Sequence, residues 1–449
     1  MSKRFLLTMF LLALPSAFAT DSLPVLLYHG IEGTQVPPEV FADQMAALHA
    51  AGYQTITTYE AIKFLQENRT LPDKAILLTF DDGKRTSYYP VDPILQKYDY
   101  KATAYLIGKA SARERSSPGY LNASEVRQML ASRRWDVEAH ANSSHAKIPI
   151  DASGTLAPYL TSKMLLANQS RLETDDEYVA RLRAELTAAN DVLETTFSTY
   201  VNSFAFPYGQ YGQNPTNVPN AKDLILTKTR HRYSIALYQY FTGEGFSQNQ
   251  PGLNTFMVKR IIVQPTWTGA QLVDVLQRGS SRALPFHDAL DTNTGWDAMW
   301  GTNAFSGGSM TVKTNNGVSA MTLLDGSYPW KDDTYLVRIH GHRGTIGLVT
   351  RLQDRNNYAT CDFTPTSIRL IERVNNIPVL RAQKSGSFTY PDDAVLTAQV
   401  AGNQASCSFN GTTVQGTLMN LTTKGGIGIR SVDATPNAAF VEVTEVSSS

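Results

Sequence analysis

The sequence predicts an α/β domain built on a parallel sheet, followed by an all-β sandwich. Three observations predict it. From Pro24 to about Leu284, short apolar runs alternate with helical stretches, the pattern of strands joined by crossover helices. After Asp288 the helical periodicity almost vanishes, and short alternating segments separated by Gly, Asn and Asp take over. The length, 449 residues, also exceeds what one ordinary core accommodates, so two domains are expected.

The elements follow in order. Residues 25–28 read as a buried strand, and residues 41–51 carry apolar side chains at helical spacing up to Gly52, a helix stop. A short strand at 55–57 and a helix at 59–67 precede 75–80, the most apolar strand of the chain. A helix at 90–98 and a strand at 102–107 come next. Such alternation fits a barrel or an open doubly wound sheet. Residues 151–173 are polar and irregular and are expected to form a long insertion at the rim of a substrate groove. Residues 175–197 form a long amphipathic helix with Tyr178, Leu182, Leu186 and Leu193 along one side. The linker is expected around residues 287–294. Strands are then predicted at 335–340, 346–350, 358–363, 368–374, 379–383, 395–400, 405–409, 426–430 and 439–443, with hairpin turns at Asn375-Asn376 and Asn410-Gly411.

Composition narrows the function classes. The 40 Lys and Arg balance the 40 Asp and Glu, which leaves no electrostatic case for nucleic acid or an anionic membrane surface. Lys3 and Arg4 precede an apolar run from Phe5 to Leu14, and Ala17-Phe18-Ala19 supplies small residues where a signal peptidase reads. Residues 1–19 are therefore read as a secretory signal peptide, with the mature protein exported to the periplasm or beyond the cell and free of membrane spans. The two cysteines, Cys361 and Cys407, are compatible with a disulfide or with two buried thiols.

Three motifs carry the chemistry. Thr79-Phe80-Asp81-Asp82-Gly83 ends the most apolar strand. Adjacent carboxylates at a buried strand end are costly unless a cation or a base role uses them; the alternative is a plain Asp-Gly turn. Glu138-Ala139-His140-Ala141-Asn142-Ser143-Ser144-His145 follows a strand-like segment. Two imidazoles and a carboxylate can hold a divalent ion with a position open for water; the alternative is two unrelated histidines. Phe204-Ala205-Phe206-Pro207-Tyr208-Gly209 ends a third strand in a constrained turn, where a backbone N–H can face a developing oxyanion. Arg260, ahead of an apolar strand, reads either as an orienter of a carboxylate or as a surface ion pair.

Taken together, in this order and at strand ends, the motifs closely resemble the NodB-homology polysaccharide deacetylases, carbohydrate esterase family 4. The resemblance covers roughly residues 24–284 and implies a distorted (β/α) barrel, here a catalytic domain over residues 20–287. It implies Asp81 as general base, Asp82, His140 and His145 as metal ligands, and the Tyr208 backbone N–H as part of the oxyanion site. It implies a divalent metal, zinc first, with cobalt, nickel or iron also fitting the ligands. The family's usual Arg upstream of Pro-Tyr-Gly is missing, since Phe204 and Phe206 flank Ala205. The Leu-x-His near the barrel's end is missing too, leaving His287 as the late candidate. Both departures resemble the poly-N-acetylglucosamine deacetylase branch, which also has Tyr28-His29 after its first strand; that likeness implies His29 as the acid and His287 as the reserve. The implied substrate is an acetylated polysaccharide, a β-linked N-acetylglucosamine polymer. An O-acetyl esterase of the same fold and a non-catalytic glycan-binding protein are the competing readings. The oligomeric state is not readable.

Residues 295–447 resemble a laminin-G-like, concanavalin-type jelly roll on the segment from Tyr335 to Cys361, including Gly347-Leu348-Val349-Thr350-Arg351, Asp354 and Asn357-Tyr358. Such modules often bind carbohydrate. Trp296, Trp300, Tyr328 and Trp330 are candidates for stacking on sugar rings.

Overall fold

The structure is a computed structural model that describes residues 21–449, apart from 34, 116, 167, 169 and 242. The expected signal peptide, 1–19, lies outside the described residues.

The N-terminal half forms strands β1 (Val25–Tyr28), β2 (Gln54–Thr55), β3 (Ala75–Phe80), β4 (Ala102–Ile107) and β5 (Trp135–Ala141). Two small hairpins follow, β6 (Lys147–Pro149) with β7 (Leu156–Pro158), and β8 (Leu165–Leu166) with β9 (Arg171–Leu172). They occupy the stretch expected to be an irregular insertion. Strands β10 (Ser203–Ala205), β11 (Ile235–Gln239) and β12 (Met257–Ile262) complete the set. Every pairing among β1–β5 and β10–β12 is parallel, in the order β1-β12-β11-β10-β5-β4-β3, and β3 pairs back onto β1. Of the two architectures the alternation leaves open, the closed seven-stranded barrel is the one formed, with β2 as an outrigger on β3.

Helices α1 (Pro38–Ala50), α2 (Thr58–Glu67), α3 (Asp92–Lys97), α4 (Gly108–Ser111), α5 (Ala123–Ala131), α6 (Asp175–Phe197), α7 (Ala221–Arg230) and α8 (Gly269–Gly279) fill the crossovers and the segment after β12. The longest, α6, starts at a capping box: Thr174 accepts from the Glu177 N–H, and Glu177 accepts from the Thr174 N–H. Asp175, Asp176 and Glu177 place negative charge on its positive end. Tyr178, Leu182, Leu186 and Leu193, predicted to share one side, are all buried.

Strand pleating sorts the side chains. Leu77, Tyr105, Ala205, Leu237 and Val258, from five different strands, share one cluster, which is possible only inside the barrel. Tyr28, Phe80 and Trp135 face outward, where Tyr28 and Phe80 pack against Phe41 of α1. The same alternation turns Glu138 and His140 inward on β5, between outward Val137 and Ala139, and turns Arg260 inward on β12 two residues after Val258.

No described residue between β11 and β12 is helical. The C-terminal half packs there instead. Asp325 accepts from the backbone N–H of Phe246 and Ser247 and from the Ser247 hydroxyl, at 2.9, 2.9 and 2.8 Å.

Residues beyond 285 form two antiparallel sheets of eight and seven strands. The chain enters the first through Phe286–Asp288, which pairs with the last strand, Phe440–Ser448. Strands Trp296–Trp300, Thr302–Ser306, Ser309–Lys313, Ser319–Leu324 and Thr412–Thr417 were not predicted. Thr302–Ser306 shows why: Phe305 is its only large apolar residue, so its alternation is faint. The two predicted turns form as expected, with Asn375, Asn376, Asn410 and Gly411 all at positive φ. Cys361 and Cys407 form a disulfide that joins the two sheets.

The tryptophan expectation needs correction. Trp296 and Trp330 are buried, with indole N–H groups donating to Asp288 Oδ2 (3.0 Å) and the Arg282 carbonyl (2.7 Å). They are core residues anchored by their polar edges, and they offer no face to a sugar.

Candidate metal centre

The motifs meet at the C-terminal ends of the barrel strands. All six residues of β3 are buried, so the chain leaves the barrel centre at Asp81 and Asp82. Asp82 and Gly83 both adopt positive φ, 73° and 70°. This turns the backbone sharply, at a cost a non-glycine residue accepts only where the surroundings enforce it. At Gly83 a Cβ would sit 2.8 Å from Leu106 Cδ2 and 2.9 Å from Ser111 Oγ, so the turn has no room for a side chain.

His140 points inward from β5. Its Nδ1 lies 2.8 Å from the Ala205 carbonyl on β10, which fixes the ring and leaves Nε2 facing Asp82. Asp82 Oδ1 lies 3.5 Å from His140 Nε2 and 3.1 Å from His145 Nε2. Ligand atoms of the three residues all fall within 4.8 Å of one another. Asp82 Oδ1 is also buried and makes no hydrogen bond. Two donors each about 2.1 Å from a tetrahedral ion stand about 3.4 Å apart, between the two observed separations. A buried acceptor without a partner, aimed between two imidazole nitrogens, fits a divalent cation. The other carboxylate oxygen, Oδ2, is 3.3 Å from Lys84 Nζ.

Charge points the same way. Burial pushes the Asp82 carboxyl up, but the two imidazoles outweigh it and hold it far below the ordinary carboxylate range. Burial works against a His140 imidazolium, but Asp81 and Asp82 outweigh that and raise its pKa. The pocket attracts positive charge at this spot.

Asp81 is fully buried and clamped by Arg260: Nη1 donates to Oδ1 and Nη2 to Oδ2, each at 2.7 Å. Burial would raise the Asp81 carboxyl, but the guanidinium lowers it below its ordinary value. Of the two readings of Arg260, the carboxylate orienter is the one formed; it is no surface pair. The backbone N–H of Asp81 donates to the Tyr28 carbonyl (3.0 Å), tying the end of β3 to the end of β1, where His29 follows.

Residues 68–224 match the family model described as polysaccharide deacetylase. This stretch resembles a polysaccharide deacetylase domain. Asp81, Asp82, His140, His145 and Tyr208 fall inside the matched stretch; His29 and Arg260 fall outside it. A poly-β-1,6-N-acetyl-D-glucosamine N-deacetylase of Escherichia coli (strain K12) is 28% identical over 179 residues, covering 37% of this chain and 27% of that protein. A Bacillus subtilis (strain 168) protein described as a polysaccharide deacetylase is 36% identical over 121 residues, covering 26% of this chain and 42% of its own length. The chain thus spans well under half of these curated relatives. A solved de-N-acetylase from Aggregatibacter actinomycetemcomitans superposes with a TM-score of 0.48 at 19% identity, over 57% of this chain and all of that one.

Within the matched stretch, Tyr208 sits in a single 3-10 turn, Pro207–Gly209, just after β10. Its φ is 59°, a left-handed conformation that a bulky residue adopts only under constraint. Its hydroxyl donates to the His145 carbonyl at 2.5 Å, and its ring stands 4.8 Å from the His145 ring. His29 feels the charges of Asp81, Asp82, Arg260 and His140, which places it in the same cluster. Burial lowers its pKa, against the pull of the two aspartates. His287 stands apart, exposed on the sandwich strand Phe286–Asp288 with its ring 3.8 Å from Glu445.

Two contributors carry no sequence signal of their own. Lys84 follows the Asp-Asp-Gly turn as one of many lysines. Glu185 lies on α6, where it reads as one polar position of an amphipathic helix, yet it is buried against the loop that carries His145. Its partners are backbone N–H groups 41 to 43 residues away along the chain, which no sequence pattern marks.

Proposed function

We propose that this protein hydrolyses N-acetyl groups of a polysaccharide of the β-1,6-linked N-acetylglucosamine type, using a divalent cation held by Asp82, His140 and His145. The observation that carries this reading is Asp82 Oδ1, buried, without a hydrogen bond, and facing Nε2 of both histidines.

A cation bound there would polarise the acetyl carbonyl and acidify a water molecule. The protein's own groups supply the rest. Asp81 is the general base; Arg260 keeps it ionised and fixes both its oxygens, leaving lone pairs to take a proton from the attacking water. The strained turn at Tyr208 presents its backbone N–H to the developing oxyanion. His29 protonates the departing amine. Burial lowers its pKa against the pull of Asp81 and Asp82, and the proton it delivers is the one that Asp81 takes from the attacking water. Amide plus water then balances as amine plus acetic acid. The position of His287 favours His29 as the acid.

Export is part of the same proposal. The Cys361–Cys407 bridge suits an oxidising compartment, and no described helix is long and apolar enough to cross a membrane. The sandwich reads as a partner of the barrel that covers the helix-free connection between β11 and β12.

The test is amine release from defined β-1,6-linked N-acetylglucosamine oligomers, alongside O-acetylated sugars. Release is expected to stop on chelation and return with a divalent ion. Asp81→Asn should lower turnover by about 10²–10⁴-fold while metal stays bound. Turnover indifferent to both chelator and this variant would refute the mechanism, and release from esters alone would refute the substrate class.

A further inference from the structure

We propose that Glu185 is the positioning residue for the second imidazole of the site, acting through the backbone of the loop between the two histidines; the inference rests on the metal reading above. Strand β5 ends at Ala141, one residue past His140. The chain must then reverse so that the side chain of residue 145 reaches the ion held by residue 140. Three consecutive backbone N–H groups, of Asn142, Ser143 and Ser144, converge on a single oxygen, Glu185 Oε1, at 2.8, 2.7 and 2.7 Å. Successive N–H groups aimed at one point form an anion-binding concavity. Here the anion is built into the protein and delivered by α6, whose packing against the barrel fixes its place.

The two histidines are thus held by different devices. His140 is set directly, through its ring nitrogen and the Ala205 carbonyl. Among the described residues, no backbone carbonyl fixes the His145 ring in this way, and its Nε2 faces Asp82. Its backbone is held from one side by the loop on Glu185 and from the other by the Tyr208 hydroxyl on its carbonyl. Glu185 is 5% exposed and Ser144 1% exposed, so water is poorly placed to replace the carboxylate. Without it, three N–H groups lose their acceptor together and the loop that aims His145 loses its pivot. Groups that orient metal ligands in this way typically affect metal affinity 10–100-fold.

The test is zinc affinity by competition with a chromophoric chelator, together with the visible absorption spectrum of the cobalt-loaded protein. Neither readout involves turnover. Glu185→Leu is expected to weaken zinc binding by about 10–100-fold and to alter the cobalt spectrum, with circular dichroism unchanged. Glu185→Gln keeps an oxygen able to accept the same bonds and should recover most of that loss. Glu185→Leu binding zinc as tightly as the parent, or Glu185→Gln binding as weakly as Glu185→Leu, overturns the proposal. Should Glu185→Leu not fold, Glu185→Asp decides: it withdraws the carboxylate by one methylene and should weaken binding, and parental affinity there overturns the proposal. A parent protein that takes up no divalent ion sinks the metal reading itself, and this inference with it.

Discussion

Two buried glutamates, one in each half of the molecule, use the same device to different ends. In the sandwich, Glu372 accepts from the backbone N–H of Met419, Asn420 and Leu421 at 3.1, 2.8 and 3.1 Å, and Arg381 Nε donates to its other oxygen at 2.7 Å. Burial would raise its carboxyl, but those N–H groups and the arginine outweigh it and hold it low. In the barrel, Glu185 gathers three N–H groups in the same way. The loop pinned by Glu372 carries no titratable ligand; the loop pinned by Glu185 leads directly to His145. What the carboxylate does locally is identical, and what the pinned loop delivers separates architecture from chemistry.

The contrast extends to the halves as wholes. In the sandwich Glu372 is matched within its own sheet, and the two sheets are stapled by Cys361–Cys407. At the barrel's end the charges are left incomplete: Asp81 is paired with Arg260 through both oxygens, but its neighbour Asp82 keeps a buried oxygen with no hydrogen bond. A buried carboxylate oxygen with no donor is costly, and a cation between the two imidazoles would complete it.

The largest effect that would sharpen this contrast is expected from Arg260→Met. It leaves Asp81 as an uncompensated buried charge, which costs about 3–5 kcal/mol of stability. The sign of the pH effect follows from the same pair. Arg260 lowers the Asp81 carboxyl against burial, so without it burial raises the pKa and the base is protonated at higher pH. The acid limb of kcat/KM should therefore move upward in pH; denaturant titration and a pH profile read the two effects. A smaller effect is expected from Glu372→Gln. Weakening its bonds to Arg381 and the pinned loop should cost about 1–3 kcal/mol, read as a lower Tm, with zinc affinity and turnover at 25 °C unchanged. If Glu372→Gln altered metal binding, the division between the halves would fail.

Much of this was legible in the sequence because it is local. Asp81 and Asp82, His140 and His145, and Pro207-Tyr208-Gly209 each lie in one short motif at the end of an apolar strand, and strand ends of a parallel barrel converge whatever lies between them. The inward turn of Arg260 follows from its even spacing from Val258. Glu185 was not legible, since its partners are backbone atoms and backbone carries no sequence signature. The early sandwich strands were missed for a related reason: Thr302–Ser306 and Ser309–Lys313 carry few large apolar residues, and Ser309–Lys313 is held by the last strand, Phe440–Ser448, far away in sequence. Trp296 and Trp330 misled because a tryptophan's polar edge is satisfied equally well by a core carboxylate or carbonyl and by a sugar.

The most direct test of the central claim is a calorimetric zinc titration of the parent protein beside Asp82→Ala. The account predicts one tightly bound ion per chain in the parent and a loss of more than about 100-fold in affinity in the variant. Equal affinity and stoichiometry in the two would show that the ion, if it binds at all, does not sit between this carboxylate and the two imidazoles.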